Sequence, residues 1–308
     1  MLIKLKKVLF SRWARMFLSA LLIYFAFRKA DLSQLWSNLT SVSWQLVTVL
    51  VLLNIISMLI GGLRWAILVL SRANIKDVLI FTKASFTGSF YALFFPSSVG
   101  GDLLKWTTLL KSYPQISKLK LAGTALIDRV IGFSAFSLMA MISLILGKIL
   151  MYQFPDILFW LFLGINIALI IFYFFVFRLN FEKMAGKYKF LNKLLEIVDL
   201  LKNSNKKRII LCFLISMLAQ PFWMMISWYL FNSLGIDLKL IQVFIFMPII
   251  SLILILPISW AGFGARENLY LYFLVPLGYS AEKLLFASTF SGVMGILMAL
   301  LGGLMLLL

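Results

Sequence analysis

Residues 95–105 read FPSSVGGDLLK, in which a proline, two serines and two adjacent glycines close an apolar run. Proline removes a backbone donor and collides with the turn before it, and paired glycines remove the side chains that stiffen a helix. A helix entering this stretch has to break. A second copy stands about 160 residues further on, LPISWAGFGARE over residues 256–267. Pro96, Ser98 and Gly101 fall in the pattern P-x-S-x-x-G, as do Pro257, Ser259 and Gly262. Each copy ends an apolar run and leads into charge, Asp102 and Lys105 in the first, Arg266 and Glu267 in the second. Interrupted hydrophobic segments at corresponding places in two halves of a membrane protein point to a substrate site between repeats.

Composition sets the solvent. The 308 residues are 63% hydrophobic and 13% charged, with a mean hydropathy of +1.02, which is too apolar for a water-soluble domain. The chain reads as an all-α integral membrane protein. In a soluble protein a net charge of +18 would suggest nucleic acid. Here it fits orientation in the bilayer and attraction to anionic lipid, and no nucleic-acid partner is expected. Cys212 is the only cysteine and there is no histidine. A disulfide within the chain is therefore excluded, and the commonest general base and transition-metal ligand are missing.

Taken in order, a basic start leads into an apolar run from Met16 to Phe27, then Arg28, Lys29 and Asp31. No small-residue cleavage pattern follows, so it reads as a retained first span rather than a signal peptide. A second span runs from about Trp44 to Leu63, with Arg64 and Trp65 read as its boundary. Leu79 to Phe95 enters the first break, and Leu103 to Lys120, with Pro114 and four lysines, reads as interfacial. Further spans are expected over Leu121–Leu146, Ile157–Phe177 and Ile209–Phe231. The second broken run covers Leu240–Pro257, with a return limb over Asn268–Leu277, and Leu284–Leu308 makes the last span. The longest polar loop, Arg178 to Arg208, carries nine basic and three acidic residues.

The basic residues predict the topology. With both termini inside and both broken segments re-entrant, about 22 of the 29 Lys and Arg fall on the cytoplasmic side and about six outside. The first break then dips in from the cytoplasm and the second from outside. This gives one polytopic domain of six full spans and two re-entrant hairpins, its halves, about 1–150 and 151–308, forming an inverted repeat. Irregular backbone at membrane depth needs cover from protein or a water-filled cavity, so the two tips are expected to meet inside.

These motifs resemble the transmembrane flippase-like domain of the lysylphosphatidylglycerol synthases and its free-standing relatives. PSSVGGDLLK resembles the family's P-x-x-x-G-G-D motif with a basic residue three positions on. ALIDRVIG, residues 125–132, resembles its acidic-Arg pair, and LPISWAGFGARE its P-x-S-x-x-G-x-G-x-R-E motif. The resemblance spans essentially the whole chain, with two departures. The family more often has arginine where this chain has Lys105, and its synthases continue into a soluble aminoacyl-transferase domain that these residues do not contain. It implies lipid translocation and leaves lysyl transfer without a catalytic domain here.

The candidate substrate-binding residues are Ser98, Gly100, Gly101, Asp102, Lys105, Asp128, Arg129, Ser259, Gly262, Gly264, Arg266 and Glu267. Arg129 lies about eight residues into its span, where a charge costs on the order of 3 kcal/mol. It reads either as a phosphate clamp, through its planar fork of donors, or as an ion pair with Glu267 or Asp102. Asp128 points about 100° away around the helix and should meet a different element. Arg266 would favour an anion at a helix start, with Glu267 in a structural or switching pair. Asp102 suits capping of exposed amides, and Lys105 an interfacial anchor or a head-group contact. The glycines permit sharp turns and amide contact with substrate.

No phosphate-binding loop, triad, zinc spacing or metal-binding pair of carboxylates occurs. No cofactor or metal is expected. The function read from the sequence is movement of an anionic lipid between leaflets of a prokaryotic cytoplasmic membrane. The cargo class is a phospholipid, an aminoacyl-phospholipid or a polyprenyl-phosphate-linked lipid. The alternatives are the membrane component of a lysyltransferase-type system, with a separate lipid-modifying or glycosyltransferase enzyme as partner, and an envelope-biogenesis scaffold.

Overall fold

The computed structural model describes residues 42–70, 72–94, 101, 104–178, 189–202, 205–256, 259 and 262–307. The expected span Met16–Phe27 and most of the first broken tip, including Ser98, Gly100 and Asp102, lie outside the described residues. The described residues form helices α1 (Trp44–Val69), α2 (Ile75–Phe94), α3 (Lys118–Ile149), α4 (Asp156–Arg178) and α5 (Lys189–Lys202). Then come α6 (Lys206–Ser233), α7 (Leu240–Leu254), α8 (Ala265–Leu274) and α9 (Ala281–Leu307). Short 3₁₀ turns cover Lys105–Leu110 and Val275–Leu277, and no strand occurs among the described residues.

Local chemistry starts several of these helices. Ser43 accepts from the Leu46 amide before α1, Ser117 from that of Lys120 before α3, and Asn205 from that of Lys207 before α6. At α2 the cap is reciprocal, since Asn74 N donates to Asp77 Oδ2 and Asp77 N to Asn74 Oδ1, both at 2.9 Å. Each removes an orphan amide from a helix start.

Five helices, α1, α3, α4, α6 and α9, are long and apolar enough to cross a membrane. Together with the family reported below they make this a multi-pass membrane protein. Along α4, Ile157, Trp160, Ile170 and Phe174 all point outward, as a lipid-bathed helix requires. Helices α7 and α8, of 15 and 10 residues, are about 22 and 15 Å long against about 30 Å of hydrocarbon. The segment leading into α7 and the one leading out of α8 lie side by side, for Tyr279 Oη donates to Asp237 O at 3.2 Å, and Lys283 Nζ of α9 donates to Gly235 O, just after α6, at 2.9 Å.

Three sequence expectations are corrected. The second span does not stop at Leu63; α1 continues through Arg64 and Trp65 to Val69, with Trp65 fully buried. Within the stretch Leu103–Lys120 read as interfacial, the turn Lys105–Leu110 is not laid open on the surface, because Lys105 and Leu109 are buried and Leu109 belongs to a core with Trp65, Phe81 and Leu121. The polar loop Arg178 to Arg208 contains α5, which docks on α3 and buries Leu201 in a core with Ile127 and Cys212. Its apolar side chains recur at helical spacing, so one face can leave water even in a basic segment.

Close backbone approach holds the bundle. A Cβ added to Gly62 on α1 would lie 2.8 Å from the Thr82 amide on α2, and one on Gly302 of α9 would lie 2.0 Å from Phe86 O. Small residues at such contacts drive helix association where lipid is as apolar as the side chains. Polar groups add to it. Pro248 inside α7 cannot donate to Phe244 O four residues earlier, and Ser143 of α3 donates to that carbonyl instead, at 2.8 Å. In the assembled bundle α1 packs on α6, α2 on α9, and α3 on α7.

Candidate functional site

Two buried charges lie where α1, α3 and the 3₁₀ turn converge. Asp128, 3% exposed, accepts from Arg64 Nε at 2.6 Å and Nη2 at 3.1 Å, and from Lys105 Nζ at 3.2 Å. The remaining Arg64 nitrogen, Nη1, donates to Ser216 Oγ on α6 at 2.9 Å. Lys105 Nζ also sits 4.6 Å from the centre of the Trp65 ring, and Trp65 Nε1 donates to Thr124 Oγ1 at 3.3 Å. An isolated carboxylate here would be intolerable, whereas two cations and a side-on guanidinium supply its missing solvation.

The cluster reassigns two residues. Lys105 is not an exposed side chain, for it is buried on Asp128. Arg64, read from the sequence as a membrane-boundary residue, is the principal partner of Asp128. The signal lay in the sequence after it, since Ala66 to Leu70 stays apolar and the charge is enclosed on both sides. Asp128 and Arg129 do diverge as their helical spacing requires. Asp128 turns to α1 and the 3₁₀ turn, and Arg129 lines a cavity.

That cavity, of about 670 Å³, is bounded by Arg64 and Arg129 together with Ser57, Phe136, Gln220 and Trp223. Two arginines thus line one cavity, and a guanidinium is the side chain that offers an anion a planar fork of donors. A second cavity, of about 480 Å³, is lined by Arg266 with Asn54, Ser89, Ser227, Tyr270 and Ser291. Trp223, Ser251 and Ile255 line both.

The second motif surrounds Arg266. Gly262 and Gly264 take φ of +83° and +79°, backbone that a side chain would strain. This turn sets the Arg266 amide on Gly262 O at 2.9 Å, and Arg266 Nη1 donates to Ser288 O on α9 at 3.2 Å. Glu267, 1% exposed, accepts from Gly264 N at 2.6 Å through Oε2; among the described residues its Oε1 has no hydrogen-bond partner. Glu267 thus holds its own loop and is not the partner of Arg129. Ser259 is buried. In the first motif Gly101 is buried against α2, where an added Cβ would meet Gly88 O at 2.0 Å and Ala92 N at 2.6 Å.

Among the described residues no group of His, Cys, Asp or Glu is placed to hold a metal. Three cavity-lining arginines, a turn with positive-φ glycines and the Asp-Arg pair occur together on one apolar bundle. Residues 12–303 match the family described as lysylphosphatidylglycerol synthase TM region.

The chain belongs to that family. No curated protein and no solved structure gives a match. Membership of the lysylphosphatidylglycerol synthase TM region family covers nearly the whole chain, in agreement with the resemblance carried by the three motifs, and places the protein in a lipid-related membrane function.

Proposed function

We propose that this protein moves an anionic lipid between the leaflets of the cytoplasmic membrane, with the phosphate-bearing head group entering the bundle and the acyl or prenyl chains remaining in lipid. The observation that carries this reading is the pair Arg64 and Arg129 on the wall of one cavity of about 670 Å³. Arg64 is held rigid by Asp128 and Ser216, so it meets an anion without first losing rotamer freedom. Arg266 lines a further cavity across a shared wall, which gives a second charged position for the same head group.

The helix pairings support an inverted repeat. If α1 corresponds to α6, α2 to α7, and α3 to α9, then the contact of α2 with α9 is exchanged with that of α7 with α3, while α1 on α6 maps onto itself. A pseudo-two-fold axis in the membrane plane has that property. In this reading α2 with the 3₁₀ turn, and α7 with α8, are two re-entrant hairpins among six spans. The basic N-terminal stretch, the C-terminus and the α5 segment are assigned to the cytoplasmic side, on the distribution of Lys and Arg.

The test is purified protein in vesicles of neutral phospholipid carrying a trace of head-group-intact, tail-labelled phosphatidylglycerol. Dithionite bleaching reads the fraction in the outer leaflet. Loss of the protected fraction at a rate proportional to protein supports translocation. Protection as complete as in protein-free vesicles, for phosphatidylglycerol, its lysyl ester and a polyprenyl phosphate alike, rejects it.

A further inference from the structure

The two cavities share Trp223, Ser251 and Ile255 in their linings, and α1 runs past both. On α1, Asn54 lines the cavity of Arg266, while Ser57 and Arg64 line the other. Asn54, Ser57, Gly61 and Arg64 are spaced by three, four and three residues, which puts them within about 80° of arc and along about 15 Å of helix. From Val49 to Val69 this stripe carries every polar side chain of the helix apart from Trp65. Ser57 Oγ is buried with no hydrogen-bond partner among the described residues, and a Cβ added to Gly61 meets nothing within 4 Å. An unsatisfied hydroxyl beside open space, between two arginines in separate cavities, is a place where a passing polar group would be satisfied.

The dividing wall is Trp223 from α6 with Ser251 and Ile255 from the end of α7. Each helix carries a proline just before it, Pro221 in α6 and Pro248 in α7. Proline removes a ladder bond and allows a bend. The largest side chain of the wall therefore sits two residues beyond a point where its helix can flex.

We infer that the two cavities are successive stations on a single head-group path that follows the Asn54–Ser57–Gly61–Arg64 face of α1, and that the Trp223 indole is the shutter closing it. This rests on the proposed translocation of an anionic lipid and adds the route and the barrier. In the closed arrangement the cavities open to opposite sides of the membrane. Swinging Trp223 aside at Pro221 joins them.

The experiment uses the full chain with Cys212→Ala, carrying either Ser57→Cys or Ser291→Cys, reconstituted in one orientation. The probe is a membrane-impermeant anionic methanethiosulfonate added to one face at a time. Ser57→Cys and Ser291→Cys are expected to react from opposite faces. Adding Trp223→Ala should raise labelling of each from its protected face more than tenfold, and Trp223→Phe should leave it protected. Where Trp223→Ala does not elute as a monodisperse protein, Ile255→Ala removes the neighbouring side chain of the wall and is read the same way. Labelling of both positions from one face, or protection unchanged in the folded wall variants, overturns the proposal. Labelling reads the path without any lipid cargo. A shutter opened by Trp223→Ala in a protein that moves none of the three lipids would refute the lipid reading alone, and normal lipid movement with unchanged protection would refute the shutter alone.

Discussion

Arg64 on α1 grips Asp128 on α3 side-on, through Nε at 2.6 Å and Nη2 at 3.1 Å. The pair joins two membrane-crossing helices, and Arg64 extends the link to a third through Ser216 of α6. Truncating one partner of a buried ion pair leaves an uncompensated charge, at a cost of about 3–5 kcal/mol. The loss should be unequal for the two partners. Asp128→Leu removes a partner from both Arg64 and Lys105, whereas Arg64→Leu leaves Lys105 on Asp128. Thermal unfolding in detergent is expected to rank them in that order, with Arg64→Leu plus Asp128→Leu milder than the sum of the singles; additive losses would mean that the residues do not act as a pair.

Arg129 makes a different prediction, because it faces a cavity. Arg129→Lys keeps the charge and loses the planar fork. Lipid movement should fall at least tenfold while the unfolding midpoint stays within the range of about 0.5 kcal/mol typical of tolerated substitutions. Wild-type transport in well-folded Arg129→Ala would remove the residue from the mechanism.

The glycines of α1 and α9 separate packing from open space. Gly302→Ala would place its Cβ 2.0 Å from Phe86 O, a backbone atom that cannot move alone, and should destabilise by roughly 1–3 kcal/mol. Gly61→Ala meets nothing within 4 Å and should be neutral or stabilising by up to about 1 kcal/mol through helix propensity. Paired melting curves check both, and equal effects would contradict the packing of α2 on α9.

At the second motif the cap is separable from the charge. Glu267→Ala deletes the acceptor for Gly264 N, and leaving that buried amide unpaired should cost about 1–3 kcal/mol. Glu267→Gln retains an oxygen for it and should recover most of the loss. A glutamine variant as unstable as the alanine one would show that the carboxylate charge, rather than the cap, is what the fold needs.

Topology is checked by single cysteines at Asp237 and Ser280. The Tyr279 hydroxyl bonded to Asp237 O puts them side by side, so both should label from the same face, opposite to cysteines in α5. Labelling from opposite faces would end the re-entrant reading of α7 and α8.

The sequence by itself determined the medium, the helical class and the places where helices break. Those follow from quantities local in the chain: an apolar composition, runs of a given length, and clusters that combine proline, serine and glycine. It also determined that Asp128 and Arg129 would face different elements, because neighbours on a helix diverge by about 100° whatever surrounds them. The tertiary structure alone decided the partners. Nothing near Arg64 in the chain distinguishes a guanidinium at a membrane boundary from one that closes on a carboxylate 64 positions away. Lys105 likewise reads as surface until the 3₁₀ turn folds it under Trp65. The cavities are less legible still, being spaces left between α1, α2, α3, α6, α7, α8 and α9 after each helix has buried the face its own periodicity prescribes. Which leftover polar groups then confront one another is set by crossing geometry, and in a bilayer that geometry depends on where small residues let backbones touch.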